Sequence, residues 1–392
     1  MADLKKIAEK LFINTYTRYP ILIQKAKGVF IYSEGKEYLD LIGGIGVIAL
    51  GHSNKEVLKE IKRQLNLFMH VSNLFWQEPQ IKFANEFLKT LDGNYRIFLS
   101  NSGAEAVEAA LKFAKLPFSE SKRGFLAFYG SFHGRTHGAL SATWKEDFRK
   151  PFSPLLPNFN FVEYGNLEQV ENELKKNTYC AVIVEPIQGE AGVISPPPGF
   201  LYELKKLCER YETLLIVDEI QTGVGKTGKF WAYEWENIKP DILVSAKAIG
   251  GGLPLGVTAV SEEISRLVKP GMHASTFGGN PISCAAGKVV IKKVNSKKLL
   301  KDVLSKGEYL KKELKKIGFE VEGKGLMLGV KLGEIKREPQ DIRDFFLKRK
   351  IIVNVIKTHL GETKIRILPP LIISKKELDL FLEAVEELKR TL

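Results

Sequence analysis

Leu214-Leu215-Ile216-Val217-Asp218-Glu219-Ile220-Gln221 decides the fold when it is set beside Asp241-Ile242-Leu243-Val244-Ser245-Ala246-Lys247. Each stretch is a short, nearly unbroken apolar run that stops at polar residues. Runs of this length, bounded by polar and glycine-rich sequence, read as strands buried on both faces. Open α/β sheets hold their ligands beyond the carboxyl ends of such strands. Two neighbouring strand ends therefore bring one carboxylate, Asp218, and one amine, Lys247, to a single crevice.

Working outward, further apolar runs lie at residues 96–99, 124–128 and 181–185, with helical stretches between them. That alternation predicts an α/β fold with a mainly parallel central sheet covered by helices. After about residue 290 the texture changes. A lysine-rich stretch leads to alternating Leu326, Leu328, Val330 and Leu332, then to a final segment in which Ser374 and Glu377 form a capping box. There Leu378, Phe381, Leu382, Val385 and Leu388 fall on one helical face. The expectation is three parts: residues 1–45, an N-terminal arm packing with the small domain; residues 46–289, a large ligand-binding domain; and residues 290–392, a smaller α+β domain.

Composition excludes several classes. With 44% hydrophobic and 27% charged residues the chain is of ordinary globular type. The longest nearly uncharged stretch, residues 39–54, contains Asp40 and several glycines and cannot span a bilayer as a helix. The start, Met1-Ala2-Asp3-Leu4-Lys5-Lys6, mixes both charge signs without an apolar core and reads as a cytoplasmic N-terminus. Cys180, Cys208 and Cys284 are odd in number and widely spaced, which suits a reducing compartment. The net charge of +13 raises the question of nucleic acid. Much of it, however, lies in residues 291–316, whose apolar stripe of Val303, Leu310 and Leu314 marks an amphipathic surface helix with a solvated lysine face. No nucleic-acid partner is expected, and a positive field also suits anionic small molecules.

Other strand ends carry chemistry too. Ser102-Gly103-Ala104-Glu105-Ala106 follows one apolar run and opens a helix, where backbone N–H groups and the helix dipole favour a phosphate. An ordinary turn capped by Ser102 is the plainer reading of the same residues. Phe132 suits stacking on a flat ring and Arg135 suits gripping a carboxylate, although either is commonly just core or surface. His133 and His137 sit four apart without an evident third ligand, so no metal is expected. Gly223-Val224-Gly225-Lys226-Thr227 imitates a phosphate-binding P-loop, but Ile220 stands where that motif needs glycine, and the segment follows the acidic strand end. A nucleotide hydrolase is a distant alternative.

An acid and an amine at adjacent strand ends suit pyridoxal phosphate (PLP), which a lysine binds as a Schiff base while an acid keeps the ring nitrogen protonated. Ser102-Gly103-Ala104, Phe132-His133-Gly134-Arg135, Glu185-Pro186-Ile187-Gln188-Gly189-Glu190, Asp218-Glu219-Ile220-Gln221, Lys247 and Thr276-Phe277-Gly278-Gly279-Asn280-Pro281 follow one another in this order. In these motifs the chain resembles the class III, or ornithine-type, PLP-dependent aminotransferases, and most of all their acetylornithine branch.

The resemblance implies a fold-type I transferase in a homodimer, with active sites at the subunit interface and a role in arginine biosynthesis. It implies Lys247 as the Schiff-base lysine and Asp218 as the partner of the pyridinium nitrogen. Phe132 and Ile220 would enclose the ring, Gln221 would meet its phenolic oxygen, and Glu219 is counted with the cofactor residues. Ser102, Gly103 and Ala104 would hold the phosphate, with Thr276 reaching in from the other subunit. Arg366 would grip a substrate carboxylate, with Glu190 as its gate, while Arg135, Ser275 and Tyr16 would meet the far end of the substrate. The implied reaction moves the terminal amino group of N2-acetylornithine to 2-oxoglutarate. Succinylornithine, N-succinyl-diaminopimelate, 4-aminobutyrate and ornithine are the alternative amines. No tyrosine stands around Ile45 and Gly46, and the small residues there leave room for an acyl group.

Overall fold

The structure is a computed structural model that describes residues 2–333, 338–358 and 361–391. Met1 and positions 334–337, 359–360 and 392 of the expected terminal parts lie outside the described residues.

Seven strands build the central sheet: β1 (Tyr95–Ser100), β2 (Gly124–Phe128), β3 (Phe159–Val162), β4 (Tyr179–Val184), β5 (Leu214–Asp218), β6 (Ile242–Ser245) and β7 (Gly256–Ser261). Their spatial order is β1-β7-β6-β5-β4-β2-β3. β7 runs antiparallel to both neighbours, and the β3-β2-β4-β5-β6 pairings are parallel. β3 and β7 were not foreseen from the sequence. Phe159-Asn160-Phe161-Val162 is a short edge strand with polar residues on both sides, and β7 opens with a glycine that prolongs a glycine-rich loop.

Successive side chains in a strand face opposite sides, and here both sides are covered. Leu215 and Val217 of β5 enter one apolar core, whereas Ile216 enters the other. Helix α1 (Gly103–Ala114) supplies Ala106, Val107, Ala110 and Phe113 to the second core. Helix α2 (Pro281–Val294) supplies Cys284, Ala286, Val290 and Val294 to the first.

The expected boundary at residue 289 falls inside α2, which runs unbroken to Val294. The helical path is interrupted at Asn295 and Ser296, after which helix α3 (Lys297–Ile317) begins. The basic stretch is thus two helices, with Val303, Leu310 and Leu314 of α3 buried as its periodicity predicts. The boundary expected at residue 45 likewise lies within the short turn Gly43–Gly46.

Two smaller sheets complete the chain. In one, Lys25–Lys27, Phe30–Ser33 and Lys36–Asp40 form an antiparallel meander, and Ile351–Ile352 joins Lys36–Asp40 in parallel, with Leu39 facing Ile351. In the other, Val321–Lys324, Met327–Lys331, Thr363–Ile367 and Asn354–Lys357 pair antiparallel in that spatial order. Pro369 and Pro370 stop the Thr363–Ile367 strand, since neither can donate to a ladder. The closing helix α4 (Lys375–Arg390) starts at the foreseen capping box: Ser374 Oγ accepts from Glu377 N, and Glu377 Oε2 accepts from Ser374 N.

Candidate active site

Asp218, the last residue of β5, pairs in register with Val244 of β6. Lys247 follows three residues later in a short 3-10 turn, so both side chains emerge beyond the same end of the sheet. Lys247 takes φ +50, a left-handed conformation that costs a β-carbon-bearing residue energy and is typically kept at functional sites. Gly251 and Gly252, also at positive φ, turn the chain away.

Asp218 and Lys247 line one cavity of about 630 Å³, together with Ser102, Gly103, Ala104, Phe132, Arg135, Ile220, Gln221, Glu185 and Tyr16. Burial lowers the Lys247 ammonium below the usual lysine range, opposed by the charge of Glu190 and reinforced by that of Arg366. Asp218 Oδ1 accepts from Ile220 N at 3.0 Å, and Oδ2 lies 2.7 Å from His133 Nδ1. A carboxylate only accepts, so Nδ1 carries the proton and donates. Each oxygen keeps a lone pair free for a donor in the cavity.

At the start of α1, Ser102 Oγ accepts from Glu105 N at 3.2 Å. The plain cap and the cavity wall are therefore the same residue, and the cap contributes about 1 kcal/mol to the helix. A β-carbon at Gly103 would lie 2.8 Å from Ile220 Cδ1, so glycine there lets the turn and the Ile220 wall approach. The exposed Arg135 guanidinium lies 3.4 Å from the Phe148 ring centroid and 5.5 Å from that of Phe132.

Arg366, in the strand Thr363–Ile367, is almost wholly buried. Its Nη1 donates to Glu190 Oε1 at 2.5 Å, Gly189 O at 3.0 Å and Gln221 Oε1 at 3.2 Å. Burial alone would raise the Glu190 carboxyl, but the charges of Arg366 and Lys247 and the hydrogen bonds from Arg366 and Gln221 outweigh it and bring it down to about 2. A β-carbon at Gly189 would sit 1.9 Å from Gln221 Oε1, so this cluster closes only over a glycine.

Three expected site residues lie elsewhere. Glu219, one residue past Asp218, points to the opposite side as strand alternation requires. Its carboxylate is sealed in the core, accepting from Thr222 Oγ1 at 2.5 Å and Tyr233 N at 2.8 Å, so its assignment to the cofactor is corrected. Ser275 and Thr276 are outside this cavity. Ser275 Oγ accepts from Asn101 Nδ2 at 3.1 Å and from Gly278 N at 3.0 Å, while Thr276 is exposed. Lys226 of the P-loop imitation is fully buried and donates to Pro369 O at 2.9 Å, so it is not offered to a phosphate. Among the described residues no cluster of three His, Cys, Asp or Glu side chains is placed to hold a metal.

Two titratable residues of the cavity carry no role in the sequence reading. His133 is the buried partner of Asp218. Glu185 ends the β4 run just as Asp218 ends β5, and the same signal would have found it. Its carboxyl is pushed up to about 7 by burial and by the Asp218 charge, against His133 and two backbone N–H donors.

The chain matches the profile Aminotransferase class-III over residues 12–388. It belongs to that family. An acetylornithine aminotransferase from Methanopyrus kandleri is 42% identical over 382 residues, covering 96% of each chain. One from Aquifex aeolicus is 41% identical over 381 residues, covering 96% of this chain and 99% of the other. Among solved structures, an ornithine aminotransferase from Toxoplasma gondii superposes with TM-score 0.93 at 28% identity over 98% of this chain and 94% of the other. An acetylornithine aminotransferase from Elizabethkingia anophelis gives TM-score 0.85 at 28% identity over 98% and 97%.

This class III aminotransferase is thus a PLP-dependent transaminase of the fold-type I kind. The cavity fits that cofactor on its own terms. It offers backbone donors at a helix start for the phosphate, a wall that a β-carbon at Gly103 would push inward, a carboxylate with free lone pairs, and a lysine whose positive charge is disfavoured.

Proposed function

We propose that the enzyme transfers the terminal amino group of N2-acetyl-L-ornithine to 2-oxoglutarate, giving N-acetyl-L-glutamate 5-semialdehyde and L-glutamate, a step of arginine biosynthesis. The observation that carries this reading is the Arg366–Glu190 pair beside Lys247. The two substrates differ at the reacting end. Acetylornithine presents a carbon with no carboxylate next to it, so Arg366 stays neutralised by Glu190. 2-Oxoglutarate presents a carboxylate beside its carbonyl, and Arg366 turns from Glu190 to grip it with two parallel hydrogen bonds. Both molecules carry a carboxylate at the far end, which Arg135 receives. Tyr16, which lines the same cavity, completes that end, whereas Ser275 lies outside it. Val47 lines the cavity, and no tyrosine stands around Ile45 and Gly46 to take up the space of the acetyl group.

Bound PLP supplies the electron sink that makes the substrate C–H acidic. The N–H groups of Ser102, Gly103 and Ala104 would hold its phosphate, Phe132 and Ile220 its ring faces, Asp218 its nitrogen and Gln221 its phenolic oxygen. Asp218, oriented by His133 and by Ile220 N, would offer that nitrogen an accepting lone pair. Lys247 would attach the cofactor. Released from it, the amine would be placed to move a proton at the substrate carbon, and burial, which disfavours its positive charge, favours its acting as a base.

The same reading makes the enzyme a cytoplasmic homodimer acting on small molecules, without nucleic-acid or membrane partners. Support for the dimer comes from the surface. Met69, Leu74, Phe75, Trp76 and Phe277 are all more than half exposed, and Asn73 ties their two segments together through Ser275 O and Gly278 O. An apolar patch of this kind marks an interface, and Thr276 stands next to Phe277 of it, from where it would reach a neighbour's phosphate site. No helix among the described residues is long and apolar enough to cross a membrane. The division of the chain into arm, large and small domains belongs to this proposal too, with the second boundary moved to Asn295–Ser296.

The test is a panel of amines with 2-oxoglutarate as acceptor, compared by kcat/KM. Acetylornithine should lead succinylornithine, N-succinyl-diaminopimelate, 4-aminobutyrate and ornithine. A clear lead for another amine would reassign the substrate.

A further inference from the structure

Glu185 stands one residue beyond β4, buried at the cavity wall. Its two carboxylate oxygens serve two different loops: Oε1 accepts from Phe132 N at 2.9 Å, and Oε2 from Gly189 N at 3.2 Å. The first loop carries the aromatic wall and His133. The second carries Glu190, and its Gly189 carbonyl accepts from Arg366.

Resting on the reading of the site given above, we propose that Glu185 is a positioning residue: its carboxylate staples the Phe132 loop to the Gly189–Glu190 turn and so sets how readily Arg366 is released to an incoming dicarboxylate.

The chemistry of a carboxyl group gives the staple two settings. Ionised, it has lone pairs for both amides. Protonated, one oxygen becomes a donor facing an N–H, and one loop is let go. The longer bond, to Gly189, is the weaker of the two. The charged and titratable groups facing Glu185 are His133, Asp218 and, across the cavity, Lys247, while Tyr164 donates to its backbone carbonyl at 2.7 Å. With the carboxyl pushed up to about 7, both settings are populated near neutrality. Losing the proton tightens the Gly189 turn around Arg366 and adds a negative charge to the cavity. Both effects oppose binding of a dianion.

Glutarate, which has both carboxylates and no carbonyl to react, reads this directly in calorimetric titrations of the cofactor-loaded enzyme. Its Kd should rise by about fivefold or more between pH 6 and pH 8, with a midpoint near 7. In Glu185→Gln, which keeps one acceptor and presents an amide NH2 to the other loop, that midpoint should vanish and Kd should stay near the acid-side value. Wild-type and variant profiles with the same midpoint would overturn the proposal. If Glu185→Gln lacks a cooperative melting transition, Glu185→Asp decides. It keeps a titrating carboxyl at a shorter reach, so its midpoint should move, and an unmoved midpoint is equally fatal. A wild-type enzyme that transaminates no amine with 2-oxoglutarate would overturn the reading of the site and this inference with it. A retained midpoint in an active enzyme removes the inference alone.

Discussion

Arg366 and Glu190 lie 176 residues apart in sequence, and their side chains meet at 2.5 Å, near enough for both charges to act on Lys247. The contact joins the strand Thr363–Ile367 to the turn after β4, so one half of the site depends on the chain's last quarter. Arg366→Ala leaves the partly enclosed Glu190 without its cation, and losing one member of a buried pair costs about 3–5 kcal/mol. Single-turnover kinetics should show the 2-oxoglutarate half-reaction weakened by about a hundredfold or more in kcat/KM, with a smaller effect on the amine half-reaction. Equal losses in both halves would refute the gate.

Lys247→Ala removes the attachment point and the proton carrier together. Turnover should fall by at least about 10²- to 10⁴-fold, the range of a lost acid–base group, and the visible absorbance of the attached cofactor should disappear. Absorption spectra and steady-state assays check both. Full activity would end the assignment.

Gly189→Ala places a methyl group where Gln221 Oε1 now sits, 1.9 Å from the new carbon. Gln221 must move, and with it one of the acceptors of Arg366. The variant should therefore reproduce much of the Arg366→Ala defect toward 2-oxoglutarate although it removes no charge. Stopped-flow measurement of that half-reaction is the readout.

Glu219 yields a stability prediction separate from catalysis. Burial pushes its carboxyl up to about 8, against hydrogen bonds from Thr222 and the Tyr233 amide. Between the unfolded value of 4.5 and about 8 the folded chain holds a proton that the unfolded chain has released. This contribution is complete below 4.5 and is lost as pH rises through 8, with a slope of up to about 1.4 kcal/mol per pH unit. In Glu219→Gln the amide still accepts from Tyr233 N and donates to Thr222, so urea unfolding at pH 5, 7 and 9 should show a flatter decline than wild type.

Trp76→Glu, in a side chain 94% exposed, places a charge in the apolar patch. If the proposed dimer forms through this patch, sedimentation should show its dissociation toward monomer, together with weaker cofactor retention because Thr276 would lose its proposed neighbour. An unchanged dimer would move the interface elsewhere.

Much of this architecture was legible because periodicity survives burial. Leu214–Asp218 and Ile242–Ser245 were bounded correctly since a strand covered on both faces must be apolar throughout. β3 and β7 escaped because an edge strand can be half polar and because glycines disguise the start of a strand. At the site, Asp218 and Lys247 were readable from their positions at strand ends. Glu219 follows Asp218 in the chain, but alternation sends neighbouring side chains to opposite faces, and its carboxyl group meets Thr222 and the Tyr233 amide in the core. Glu185 carried the same signal as Asp218. The Asp218–His133 contact spans 85 positions, and nothing in local sequence reports it.

The parallel pairing of Leu39 with Ile351 closes a sheet only when the two ends of the chain meet. On the ribosome, therefore, the first strands emerge early and wait, unzipped along one edge, until nearly the whole polypeptide has been synthesised. The central sheet, complete by Ser261, can consolidate in the meantime. A nascent chain stalled before Ile351 would leave that edge bare, and shielding it is a task for chaperones.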